Sequence, residues 1–307
     1  MSNLSQDLRY ALRQLRKSPG FAITAVVTLG LGIGATTAIF TLVHAVLLKS
    51  LPVTKPEELY RIGDKAHCCN WGGYTQWEEF SVFNGELYRR FRNNTPAFSD
   101  LAAFQGGTTG LGVRRVGTSQ PADTRNGQFV SGNFFRTFGV GAWTGRLLTE
   151  SDDQLDGAAV AVMSYHTWVS KYASDPSIIG AVFQFNAKPF TLVGIAAPGF
   201  FGAELRGWGN PDFWMPLNAE LLIDGERARL NLPDANWLDI IGRVRPGTDP
   251  HALEAQLRVE LRQWQTSHLV DMSNQEKEFL PKLEFHLTPG GAGVSGMREE
   301  YREWLLG

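Results

Sequence analysis

From Phe21 to Leu48 the chain contains no Asp, Glu, Lys or Arg. At ~1.5 Å per residue a helix of that length reaches roughly 40 Å, more than the ~30 Å hydrocarbon core of a bilayer. A soluble core helix seldom runs so far without a charge, so the segment reads as a membrane-spanning helix. A cleaved signal peptide fits less well, because its apolar core is usually ~7–15 residues. The nearest small-residue cleavage candidate, Val43-His44-Ala45, lies inside the apolar run.

Gly30, Gly32 and Gly34 occupy the middle of the span. Gly30-x-Gly32-x-x-Ala35 has the letters of a dinucleotide fingerprint, but no strand and turn precede it and no acidic residue follows at ~20 residues. In a membrane, Gly30 and Gly34 have the small-xxx-small spacing that lets a second helix approach closely. A Gly-rich composition is also ordinary for membrane helices, so helix packing and plain composition stand as alternatives. His44 sits near the far interface, where snorkelling is the expected behaviour.

Ahead of the span, Leu4, Leu8, Ala11, Leu12 and Leu15 share one helical face, while Arg9, Arg13 and Arg16 lie off it. This is a basic amphipathic helix suited to the membrane surface, broken by Ser18-Pro19-Gly20. The positive charge beside the span places the amino terminus in the cytoplasm and the bulk of the chain outside. Lys49, Lys55, Arg61 and Lys65 follow the span and make the bias mild.

Beyond Ser50-Leu51-Pro52 the sequence turns polar and rich in turns. Over the 307 residues, 20% are charged and 43% hydrophobic, as in ordinary globular protein. A net charge of -2 offers no basic surface for nucleic acid. Periodicity predicts strands at 58–63, 111–116, 123–130, 158–163, 237–244 and 283–287, and a hairpin from 182–186 and 190–196. It predicts helices at 80–93, 132–138, 164–172 and 251–269. Interleaved strands, hairpins and helices imply an α+β domain, with two subdomains.

Chemistry-bearing patterns are mostly missing. The sequence has no Gly-x-x-x-x-Gly-Lys-Ser/Thr phosphate loop, no His-Glu-x-x-His and no Gly-x-Ser-x-Gly elbow. Catalytic residues, a cofactor and a metal are therefore not expected. Ser164 and His166, two residues apart, do not face each other on a helix. Asp152, Asp153 and Asp156 are a cation candidate, with a solvated turn as the preferred reading. The Gly- and aromatic-rich loop from Pro198 to Pro211, around Trp208, reads either as a partner surface or as a packed loop. The two cysteines, Cys68 and Cys69, are adjacent, which suits metal binding poorly. They read as small buried side chains or as a vicinal disulfide locking a tight turn.

Several stretches carry a resemblance when taken in order. They are Asp7-Leu8-Arg9-Tyr10-Ala11-Leu12-Arg13-Gln14-Leu15, Ser18-Pro19-Gly20-Phe21, Leu29-Gly30-Leu31-Gly32-Ile33-Gly34-Ala35 and Cys68-Cys69-Asn70-Trp71-Gly72-Gly73. Gly132-Asn133-Phe134-Phe135, Thr191-Leu192-Val193-Gly194-Ile195-Ala196, Trp214-Met215-Pro216-Leu217 and Gly242-Arg243-Val244-Arg245-Pro246-Gly247 continue it. Nearly end to end, the chain resembles MacB-like permeases of ABC transporters (FtsX/MacB type). It is similar above all to the large duplicated permeases of the acidobacterial group.

The resemblance implies a cytoplasmic amphipathic helix over 1–20, a transmembrane helix over 21–48 and a periplasmic MacB-like core domain over 49–307. It also implies residence in the bacterial inner membrane. Its implied partners are a separate cytoplasmic ABC ATPase and either a permease homodimer or the remaining permease helices. The implied function is passage of ATP-driven motion across the membrane for export. Family members continue into a second span near the point where this chain stops, so the sequence is expected to be an amino-terminal part. The rival readings are a membrane-anchored extracytoplasmic binding or scaffold module without transport and, less favoured by the missing motifs, an anchored enzyme.

Overall fold

The computed structural model describes residue 13 and residues 16–43, 53–64, 83–203, 209–268, 274–279 and 285–291. The chain divides into two units, Met1–Lys49 and Ser50–Gly307.

The first unit is built on helix α1 (Pro19–Val43). Ser18 interrupts the helical path between Lys17 and Pro19, as the Ser-Pro-Gly signal predicts. Its carbonyl accepts from Ala22 N at 3.0 Å, so proline begins the helix where its missing N–H costs nothing. The 19 residues Pro19–Thr37 are long and apolar enough to cross a membrane, and none is buried within the chain. Two threonine hydroxyls return to the helix itself: Thr24 Oγ1 donates to Gly20 O at 2.9 Å and Thr36 Oγ1 to Gly32 O at 2.8 Å. Residues 44–48, at the end of the expected span, lie outside the described residues.

The second unit is organised by one 11-stranded sheet. Its strands are β1 (Leu59–Asp64), β2 (Phe98–Gln105), β3 (Thr109–Arg115), β4 (Asp123–Val130), β5 (Ala142–Gly145) and β6 (Val160–Met163). They continue with β7 (Val182–Phe185), β8 (Lys188–Ala196), β9 (Phe213–Pro216), β10 (Leu238–Val244) and β11 (Phe285–Pro289). The helices of this unit are α2 (Gly85–Asn94), α3 (Phe134–Phe138), α4 (Tyr165–Tyr172), α5 (Ala219–Asp224), α6 (Pro250–Ser267) and α7 (Asn274–Phe279).

The strand order is β11-β1-β10-β2-β4-β3-β7-β8-β6-β9, and β9 pairs again with β4. The pairings β4-β3-β7-β8-β6-β9 thus close into a ring, while β2, β10, β1 and β11 extend from β4 as an antiparallel arm. Strand β5 adds to β8 outside this path.

Two apolar clusters use opposite faces of the same strands. Leu111, Phe129, Met163, Phe183, Phe185, Phe190 and Phe213 belong to one, which continues through Leu87, Phe91, Leu257 and Trp264 of α2 and α6. Phe185 and Phe213 meet edge-on at 5.0 Å between ring centres. The other cluster gathers Phe134, Phe135 and Phe138 of α3 with Val160, Val162, Phe200 and Trp214. Strands β6 and β9 are therefore apolar on both faces, and every one of their residues is buried. Phe200 fixes its part of the Pro198–Pro211 loop as packed; residues 204–208, with Trp208, lie outside the described residues.

The elements differ from expectation in several places. Helix α2 begins at Gly85, not at 80: the Asn84 side chain accepts Leu87 N at 2.8 Å and caps it. Phe83 instead exchanges backbone hydrogen bonds with Leu238 as an isolated bridge. The last strand is described over Phe285–Pro289, with residues 283 and 284 outside the described residues. Strands β2 and β9, central to the sheet, are absent from the periodicity reading because β9 throughout and β2 from Leu101 onward are buried on both faces and so do not alternate.

The β7–β8 hairpin turns through Asn186 and Ala187, at φ 46° and 67°. This is the two-residue turn that needs left-handed backbone at both positions. Asn186 tolerates it and its Oδ1 also accepts Gly112 N at 2.9 Å. Ala187 carries the steric cost of a Cβ there. Ala187→Gly is expected to raise unfolding stability by about 1 kcal/mol, read from urea denaturation midpoints.

Candidate functional site

The segment Thr54–Glu58, within the second unit, leads into β1, and its backbone is held at several points. Lys55 has φ 46°, a left-handed conformation costing about 1–2 kcal/mol for a residue with a Cβ. Pro56 follows and opens a short 3-10 turn, Pro56–Glu58, that leads into β1.

One side chain fastens this segment. Arg243, on β10, donates through Nη2 to Thr54 O at 2.6 Å and through Nη1 to Lys55 O at 3.1 Å. Nη1 also donates to Glu58 Oε2 at 3.0 Å, while Nε and Nη2 both donate to Thr137 O, at 3.2 and 3.0 Å. A single guanidinium thereby joins the incoming segment, β10 and the last turn of α3. The pair is largely shielded, with Arg243 and Glu58 side chains 14% and 19% exposed. Glu58 also accepts from Lys55 Nζ at 2.8 Å, and the Lys55 and Arg243 hydrogen bonds hold its carboxyl below the ordinary range.

Backbone contacts complete the grip. Thr54 N donates to Phe138 O at 3.1 Å and Thr54 Oγ1 to Gly139 O at 3.0 Å. Gly139 ends α3 at φ 67°, and a Cβ there would sit 2.6 Å from Thr54 Cβ, so both conformation and space require glycine.

The segment following β11 comes to the same place. β11 pairs with β1 from Tyr60↔Pro289 to Asp64↔Phe285, and Gly290 N donates to Leu59 O at 2.7 Å. A Cβ on Gly291 would lie 2.2 Å from Pro56 O. Residues 54–58 and 289–291 are thus neighbours at one junction.

Helix α3, on which the junction rests, is itself pinned by charge. Arg136 donates through Nε to Asp100 Oδ2 at 2.8 Å, and Arg136 and Arg92 both reach Glu150. Asn133 Nδ2 reaches Leu101 O at 2.8 Å and also Asp100. Burial disfavours the Asp100 charge, but the hydrogen bonds from Arg136 and Asn133 outweigh it and hold the carboxyl below its usual value.

The residues singled out from sequence fall elsewhere. Gly30 and Gly34 lie on α1, where nothing stands within 4 Å of a Cβ built on either. Cys68, Cys69 and His44 lie outside the described residues. Asp152 is no solvated turn residue: it is buried, held by Arg146 at 2.7 and 2.8 Å, and accepts Thr149 N at 2.8 Å. Asp153 is equally committed, accepting Gly132 N and Asn218 N. Ser164 caps α4 by accepting Thr167 N, and His166 is exposed. Among the described residues no group of three or more His, Cys, Asp or Glu is placed to hold a metal. Arg243 was missed as a functional candidate, although a charge inside the apolar run Trp237–Val244 signals a buried partner.

The family profile described as MacB-like periplasmic core domain matches residues 22–259. No curated protein matches the chain. A domain assigned to a permease of Porphyromonas gingivalis is similar in structure, with 14% identity and a TM-score of 0.52, over 79% of this chain and 94% of that one. The periplasmic region of MacB from Actinobacillus actinomycetemcomitans has 15% identity and a TM-score of 0.48, over 67% and 83%. The extracellular domain of the noncanonic ABC-type transporter YknZ from Gram-positive bacteria has 10% identity and a TM-score of 0.47, over 68% and 94%. At such identities the first likeness speaks for the fold alone.

Arg243→Met is expected to cost about 1–2 kcal/mol of unfolding stability, because it removes the part-buried hydrogen bonds to Thr137 O while water can replace those to the exposed Thr54 and Lys55 carbonyls; chemical denaturation measures it. Asp100 has a lowered folded pKa, so its stabilisation is present above the unfolded value and is lost as pH falls through the folded one. Asp100→Asn is therefore expected to lower the melting temperature at pH 7, with the difference from the parent chain shrinking steadily as pH falls below the ordinary carboxylate range.

Proposed function

The chain belongs to the family of MacB-like periplasmic core domains, and on that premise we propose that it is a permease component of an ABC transporter whose outer domain receives motion generated by a separate ATPase. In this reading residues 1–20 lie on the cytoplasmic surface, 21–48 span the membrane and 49–307 form the periplasmic domain. The observation that supports it is the Arg243 junction. A domain that only needs tethering can hang from a loose linker, whereas a domain that must be moved needs a stiff attachment. Here residues 54–58 are held by three guanidinium hydrogen bonds and two from Thr54, and the same guanidinium makes two more to Thr137 O on α3.

Displacement arriving along the first span would reach β10 and α3 through Arg243, and β1 through the covalent chain. The same junction would receive displacement arriving along the segment after β11. The open faces of Gly30 and Gly34 supply room for a second helix in the bilayer, whether from a second copy or from other permease helices. No phosphate loop exists in the sequence, so the nucleotide chemistry falls to the partner.

Affinity purification of the tagged chain from native membranes in mild detergent tests this. An ABC-type ATPase and additional membrane helices are expected to co-purify, and Gly30→Leu/Gly34→Leu is expected to reduce the helix association. Recovery of the anchored chain alone would replace the transporter reading with that of a binding or scaffold module.

A further inference from the structure

Away from the junction, a cleft of about 360 Å³ opens between α2, the turn after Asp152 and the chain on either side of α5. Its size is at the lower end of small-ligand sites. The wall is preformed. Glu220, fully buried, accepts Arg229 N at 2.6 Å and Leu230 N at 3.1 Å, and Asn84 Nδ2 donates to Pro233 O at 2.7 Å. These bonds hold the stretch that presents Leu230 and Asn231 to the cleft.

Three arginines of α2 differ in their partners. Arg90 is paired with Glu260 at 2.7 Å and Arg92 with Glu150 at 2.7 Å. Arg89, in the cleft, has only a neutral amide: its Nη2 donates to Asn231 Oδ1 at 3.1 Å. Asp153, which also lines the cleft, lies beyond ion-pair distance of it among the described residues. The Asp153 oxygens accept Gly132 N at 3.0 Å, Asn218 N at 2.9 Å and Asn218 Nδ2 at 3.1 Å. Arg89 is exposed and its charge acts on Asp153 across the cleft, but its guanidinium makes no other hydrogen bond among the described residues, and such a fork suits a carboxylate.

The remaining lining is apolar. Leu217 and Leu230 are buried beneath the cleft, while Leu155 is 82% exposed at its rim. An exposed leucine facing two buried ones gains by being covered.

We propose that this cleft binds a small organic carboxylate bearing an apolar group, with the carboxylate on Arg89 and the apolar group between Leu155 and the Leu217–Leu230 floor. The proposal does not depend on the transport reading.

The test uses the full chain in nanodiscs and N-acetyl-L-leucine as the probe, with N-acetyl-L-leucinamide as the uncharged twin, followed by saturation-transfer NMR. Binding of the acid at about millimolar concentration is expected, with the amide about tenfold weaker or worse. Arg89→Met is expected to weaken the acid about tenfold and leave the amide unchanged, and Leu155→Ser to weaken both about threefold. Unchanged melting temperatures would confirm that these two surface variants fold. No binding of the acid up to about 10 mM, equal binding of acid and amide, or indifference to Arg89→Met would each overturn the proposal.

Discussion

Strand β9 is short, and the rest of the second unit depends on how it is placed. Phe213–Pro216 pairs in parallel with β4 along one edge and antiparallel with β6 along the other. Without it, both strands would present open edges, which invite pairing with other chains. Its register is fixed twice. Phe213 and Met215 enter one apolar cluster and Trp214 the other, so a slip of one residue would exchange them. Asp212 fastens the start of the strand: its carboxylate accepts Asn126 N at 2.9 Å and the Thr167 hydroxyl, while its carbonyl accepts Ser164 N at 2.9 Å.

The ring and the arm communicate through few elements. β2 meets β4 only near Phe104 and Val130, while β10 lies alongside β2 for most of its length. Helix α3 bridges this gap from the other face, packing Phe134 against Phe104 and Phe135 against Trp214. The junction at Arg243 is anchored to α3 and β10 together. It therefore grips a helix that touches both halves of the sheet, and not a peripheral strand.

Much of the architecture could be read from periodicity, and the failures share a cause. The strands that alternate, such as Val182–Phe185 with Phe183 and Phe185 inward, were visible. So was α6, with Leu253, Leu257, Leu261 and Trp264 at helical spacing. β2 was not, since Ala102 and Ala103 carry little strand preference and its second half is buried on both faces. The site was harder. Arg243 pairs with Glu58 across most of the chain, and only the fold reveals that adjacency. Gly139 could be expected to end α3, but its close approach to Thr54 is likewise a property of the assembled domain.

The neighbouring positions of residues 54–58 and 289–291 have an evolutionary consequence. Paired strands lie about 4.8 Å apart, so the path into β1 and the path out of β11 start from nearly the same place. A domain with such ends can be spliced into a helical protein, exchanged or lost without disturbing the order of the flanking helices. The folded unit has the anatomy of a transferable cassette, free to diverge at its own pace.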